Sequence, residues 1–167
     1  MKRLSSKKII KEIIIPISVV LVVWVSVWGY FGTPNPFYVV ASGSMVPNLE
    51  VYDMIIIQAH IPIEKIKVGD IIVFDRPSDH GRVIVHRVAS IIENEPVTLR
   101  TKGDANPASI PGTDFPITEK EYLGKVEQVI PKIGYVTQVL KSPVNYILIA
   151  IVVGFFVFRE FRNRDKL

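Results

Sequence analysis

The sequence predicts a mainly β protein, in which a small β-rich domain is held between two apolar helices. Three observations lead there. Long uncharged runs stand near both ends of the 167-residue chain. The interval 33–142 is a succession of short Ile- and Val-rich segments parted by turn residues. No stretch of that interval sustains a helical period with caps.

Residues 1–12 form a basic tail, and the twenty residues 13–32 carry no charge. As a helix at about 1.5 Å per residue they span about 30 Å, the hydrocarbon thickness of a bilayer. Twelve of the twenty are Ile, Val, Leu or Phe, which contribute on the order of −4 to −7 kcal/mol to insertion. Trp28, Tyr30 and Phe31 suit the headgroup level at the far end. A core helix in so small a domain needs a polar face, and this run has none. A cleaved leader has a shorter apolar region that ends in a small-x-small site. No Ala-x-Ala-like pair follows here, so 13–32 reads as an uncleaved anchor.

Within 33–142 the expected strands are Val51–Gln58, Asp70–Phe74, Arg82–Ile92, Val97–Thr101 and Tyr122–Ile130, preceded by an extended segment Phe37–Ala41. Pro77-Ser78-Asp79-His80-Gly81 reads as a hairpin loop. Asp104–Phe115 is a loop too long to be a simple turn. The second apolar run, Val144–Phe158 behind Pro143, is fifteen residues, about 22 Å as a helix. A short spanning helix and a membrane-surface helix both fit. Apolar residues on every face favour a span over 143–158, with Arg159 and Arg162 snorkelling from the basic tail 159–167.

Charge supplies the topology. Residues 1–32 hold five basic residues against one acidic, 143–167 four against two, and 33–142 eleven against thirteen. Basic flanks stay in the cytoplasm, so both termini are expected there and the middle domain on the other side. A nucleic-acid binder would spread its basic residues over a folded surface instead, so nucleic acid is not an expected partner. At 49% hydrophobic and 22% charged residues, the chain is not intrinsically disordered. With no Cys, it has no disulfide framework, no thiolate zinc site and no thiol nucleophile.

A hydrolase without Cys needs a hydroxyl nucleophile and a base. Ser42-Gly43-Ser44-Met45 follows an extended segment and precedes Pro47, a pattern that can hold a hydroxyl on a tight exposed turn. A solvated loop has the same composition. His86 lies inside the strand Arg82–Val88, on the face of Ile84 and Val88. It reads either as a core histidine or as a base with a partner in hydrogen-bond reach. His60 and His80 fall in loops. Three dispersed His give no metal signature, so neither metal nor cofactor is expected. Asp104 can cap the turn in Thr101–Pro107, and Asp114 has no evident structural duty.

Four segments follow one another behind the anchor: Ser42-Gly43-Ser44-Met45-x-Pro47, Val68-Gly69-Asp70-Ile71-Ile72-Val73-Phe74, Val85-His86-Arg87-Val88 and Thr101-Lys102-Gly103-Asp104-x-Asn106. Together they resemble the type I signal peptidase family, over roughly residues 38–130 and the anchor. Bacterial members place Lys where this chain has His86. A His there resembles the archaeal and endoplasmic-reticulum branch.

The resemblance implies an extracytoplasmic β-domain of the signal peptidase type, flanked by N- and C-terminal transmembrane helices in the cell membrane. It implies a serine endopeptidase that cuts precursors after an Ala-x-Ala-like site. Ser44 would be the nucleophile and His86 the group that takes its proton. The Ser42 hydroxyl and the Ser44 backbone N–H would form the oxyanion hole. Asp104 matches the family's first acidic position. The second usually follows a few residues later, where this chain has Ile110, so Asp114 becomes the third member and Asp104 a supporting carboxylate. An extended substrate would pair near Val39–Val40 and Val83-Ile84-Val85. The implied partners are precursor proteins, the lipid bilayer and the protein translocation machinery. Two other functions fit the residues: a non-catalytic anchored β-domain that scaffolds an extracellular partner, and the same serine chemistry on a pilin-like precursor.

Overall fold

The structure, a computed structural model, describes residues 6–139 together with Ala150, Ile151 and Gly154. The expected second span 143–158 lies outside the described residues except at those three positions, which are helical. The tail 159–167 and residues 1–5 also lie outside them.

Helix α1 runs from Ser6 to Phe31 with Pro16 inside it. Its segment Ile14–Phe31 has a mean hydropathy of 2.1, and none of it is buried against the rest of the chain. Among the described residues it is the one helix long and apolar enough to cross a membrane. An apolar surface that large needs cover from something other than water.

Behind α1 the chain forms one antiparallel sheet of six strands: β1 (Phe37–Val39), β2 (Met54–Gln58), β3 (Ile71–Asp75), β4 (Val83–Asn94), β5 (Val97–Lys102) and β6 (Tyr122–Ile130). Their spatial order is β1-β2-β6-β3-β4-β5. The last strand returns to the middle and ties the β1–β2 pair to the β3–β4–β5 meander. A 3₁₀ turn at Ile63–Lys65 and a short helix α2 at Gly134–Val139 complete the described fold. Both are too short to leave a period in the sequence.

The expected strand from Val51 begins only at Met54. Tyr52 adopts a left-handed φ of 73°, which extended pairing does not allow. The buried Asp53 carboxylate accepts the N–H groups of Glu50 and Lys132, making this a turn that meets the chain beyond β6.

Central strand β3 is buried on both faces, and this explains its unbroken run Ile71–Phe74. Ile72 and Phe74 join Ile63, Ile66, Val88, Leu99 and Ile117 in one apolar cluster. Val73 points the other way, to Val40, Met45, Leu49, Ile55 and Ile57. Sheet alternation therefore creates two cores, one on each face of β3.

Phe74 is fully buried. Phe74→Ala is expected to cost about 3–5 kcal/mol. Thermal unfolding of the detergent-solubilised protein checks this, and a loss below about 1 kcal/mol would mean that the cluster does not carry the fold.

Candidate active site

Four residues after β1 the chain enters a compact turn. The Val46 N–H donates to Gly43 O, and the Leu49 N–H to Met45 O. Met45 and Leu49 are buried in the second cluster and anchor the turn from below. Ser44, directly before Met45, stays half-exposed. Its carbonyl accepts the Ala105 N–H at 2.9 Å, which ties the turn to the loop after β5. Gly103 makes this approach possible. A Cβ there would stand 2.6 Å from the Ser44 carbonyl oxygen, closer than side chains tolerate.

His86 reaches the same point from β4. The residue is 4% exposed, and its ring lies edge-on to Phe74 with centroids 6.4 Å apart. Its Nε2 is 3.0 Å from Ser44 Oγ, and its Nδ1 is 2.5 Å from Asp114 Oδ1. An ionised carboxylate can only accept. Nδ1 therefore carries the proton, and Nε2 is left to accept from the serine hydroxyl.

Asp114 is fully buried. Besides His86, it accepts the Thr101 hydroxyl at 3.1 Å and the Ile110 N–H at 2.7 Å. Burial pushes its carboxyl up. The bonds from His86, Ile110 and Thr101 outweigh that and hold it below the ordinary carboxylate value. Ser42 Oγ lies 3.3 Å from Ser44 Oγ. Among the described residues the Ser44 N–H donates to no protein acceptor.

Asp104 stands apart from the imidazole. Its carboxylate takes a bidentate pair from Arg87, Nε at 2.9 Å and Nη2 at 2.7 Å, and a bond from Asn48 at 2.8 Å. It joins β4, the loop after β5 and the serine turn.

A groove of 590 Å³ runs from Ser44 and His86 between Tyr38–Ala41 on one side and Val83-Ile84-Val85 on the other. Val39 and Val40 line it with Val83, Ile84 and Val85. Backbone is open on both sides. β1 is an edge strand, and β4 pairs with β5 only from Arg87 onward. A larger cavity of 870 Å³ beside the β4–β5 turn is lined by Glu64, Glu95, Glu119 and Glu121, but neither Ser44 nor His86 borders it. Among the described residues no His, Asp and Glu cluster is placed to hold a metal ion.

Asn48, which holds Asp104, and Ala105, which fixes the serine turn, were not singled out in the sequence. Arg87, Thr101 and Gly103 stood in the four motif segments without an assigned role; Arg87 holds Asp104, Thr101 supports Asp114 and Gly103 lets the loop approach the serine turn.

Arg87 holds the Asp104 carboxyl below its ordinary value of 3.8, against burial and with help from Asn48. A carboxyl lowered by folding stabilises the fold fully above its unfolded value. That contribution is lost as pH falls through the folded value. The gap in melting temperature between wild type and Asp104→Asn should hold steady above about pH 5 and close on acidification below about pH 4. A gap independent of pH would mean that the pair does not stabilise the fold.

The family model for signal peptidase, peptidase S26, matches residues 6–92. The chain is 30% identical over 132 residues to the signal peptidase complex catalytic subunit SEC11 of Fusarium vanettenii, covering 75% of this chain and 76% of that relative. A counterpart of the same description from Sclerotinia sclerotiorum is 34% identical over 116 residues, 66% of each chain. Another from Ajellomyces capsulatus is 29% identical over 144 residues, 75% of each. With more than half of its length matched, the chain belongs to the signal peptidase family, peptidase S26.

Proposed function

We propose that this chain is a membrane-bound serine endopeptidase that removes N-terminal signal peptides from translocated precursors, cutting after small residues at an Ala-x-Ala-like site. The observation that carries the reading is the continuous hydrogen-bonded line from Asp114 through His86 to Ser44. The family, and relatives described as signal peptidase complex catalytic subunits, support precursors as the substrate.

A serine hydroxyl is a poor nucleophile until a base takes its proton. In this reading Ser44 Oγ attacks the scissile carbonyl as its proton passes to His86 Nε2. Asp114 keeps the ring in the right tautomer and stabilises the imidazolium, without itself taking the proton. The Ser44 N–H and the Ser42 hydroxyl hold the oxyanion, each such donor being worth roughly 2.7–4 kcal/mol. His86 then gives its proton to the leaving amine. Water, deprotonated by the same ring, releases the acyl group from Ser44.

The groove supports an extended substrate that adds as a strand between β1 and β4. The valines and Ile84 would leave room for small side chains only. Asp104, held by Arg87, keeps the serine turn and the loop after β5 in register and takes no part in proton transfer. The basic tail 1–12, the anchor 13–32 and the domain 33–142 are read as cytoplasmic, spanning and extracytoplasmic. The run 143–158 recrosses the bilayer and returns 159–167 to the cytoplasm. The translocation machinery delivers the precursor.

Purified wild type should convert a precursor bearing an Ala-x-Ala site into two products, read by mass spectrometry. Ser44→Ala should yield none while unfolding at the wild-type temperature. Retained cleavage by that variant would sink the reading. Asp114→Asn should lower kcat roughly 10⁴-fold, since the amide favours the wrong tautomer. Acidification should also lower kcat/KM. Because Asp114 is held ionised below the usual carboxylate range, its own protonation should add no second proton to the acid limb. A limb with a slope of two would count against an ionised Asp114.

A further inference from the structure

The end of α1 is joined to the sheet by contacts that the proposed chemistry does not use. Gly32 closes the helix in a left-handed conformation, φ 74°, with its N–H on Trp28 O. The imidazole of His60, just past β2, packs against it. A Cβ on Gly32 would stand 2.9 Å from His60 Cγ, Nδ1 and the His60 backbone nitrogen. His60 Nε2 lies 3.0 Å from Gly29 O, one of the carbonyls that the helix end leaves without an internal partner. The Ala59 N–H donates to Phe31 O at 2.8 Å, and the Ile57 N–H to Pro36 O at 3.0 Å. Phe31 meets Phe37, the first residue of β1, at 6.0 Å between ring centroids. Five residues, Gly32–Pro36, separate the helix from β1, and Pro34 and Pro36 stiffen them.

An anchor tethered by a flexible linker needs none of this. Hydrogen bonds from Ala59 and His60 at one end of β2, to Phe31 O and Gly29 O, make α1 and the sheet one body. We propose that this His60–Gly32 clasp sets the height of Ser44 over the membrane, and that the cut position in a precursor is thereby chosen by its distance from the apolar run. His60 is a positioning residue, acting through α1. The inference rests on the reading of the chain as a membrane-bound signal-peptide endopeptidase. Scale favours it. One residue of extended substrate covers about 3.3 Å, so a joint that yields by a few ångströms shifts the cut by one residue or more.

The test uses full-length protein in phosphatidylcholine–phosphatidylglycerol vesicles and a precursor with two tandem Ala-x-Ala sites at different distances from its apolar run. A soluble peptide carrying one site and no apolar run is the control. Wild type should favour one site by more than about tenfold. His60→Ala, and separately a Gly-Gly insertion after Gly32, should reduce that preference to under about threefold, because each frees a motion comparable to the 3.3 Å step. Both variants should cleave the soluble peptide at the wild-type rate. His60→Gln keeps an N–H donor for Gly29 O and should restore the preference. If the soluble peptide is cleaved normally and both loosened variants keep the wild-type preference, the clasp sets no height and the inference falls. If wild type cleaves neither substrate, the underlying reading falls, and the inference with it.

Discussion

The β4–β5 ladder ends where Arg87 meets Lys102, and the site is built on that ending. β5 stops at Lys102, and Gly103 turns the chain away. From Val83 to His86, β4 therefore keeps β3 on one edge and, among the described residues, no strand on the other. The departing loop does not wander. It folds back onto β5, where the Thr101 N–H donates to Asp114 O, placing Ala105 on the serine turn, Asp104 on Arg87 and Asp114 behind His86. One interruption of sheet pairing thus leaves backbone open beside the groove and brings to Ser44 the groups that flank it.

The two carboxylates of that loop differ because their surroundings differ. Asp104 faces a guanidinium in bidentate geometry and is partly exposed. It behaves as a structural ion pair whose contribution depends on ionisation. Asp114 is fully buried and, among the described residues, its only potential cationic partner is His86. Such a carboxylate persists only because donors satisfy it. Here the donors are an imidazole, a hydroxyl and a backbone N–H. That arrangement favours a positive charge on the ring, which the proposed proton transfer from Ser44 requires.

The location of the site at the seam between two cores has a physical consequence. Met45 is committed to one cluster, and His86 lies over Phe74 of the other. Ser44 and His86 are thereby held by packing on rigid elements rather than by the mobility of a surface loop. The same economy governs the end of α1, where Gly32 and His60 pack together beside a short, proline-stiffened linker.

The strands could be read from the sequence because a pleated chain turns alternate side chains to opposite faces, and local patterning records that period. The β3–β4 hairpin and the continuous apolar run of β3 were visible for this reason. So were the apolar anchor, whose length matches a bilayer, and the residue types of Ser44, His86, Asp104 and Asp114. Tyr52 broke the expected first strand because a left-handed backbone leaves no hydropathy signature. His60 looked like an ordinary loop residue because its partner, Gly29 O, lies thirty-one positions away on α1. The resemblance favoured Asp114 over Asp104 as the partner of His86, but their actual placement came only from tertiary structure. Asp104 and Asp114 share one loop, and no local pattern says where a loop folds back. The pairing of Arg87 with Asp104 spans seventeen positions, and the contact of Ser44 with His86 spans forty-two. Sequence determines local conformation and burial preference, whereas distances across the sheet follow from strand order and from where the ladder ends.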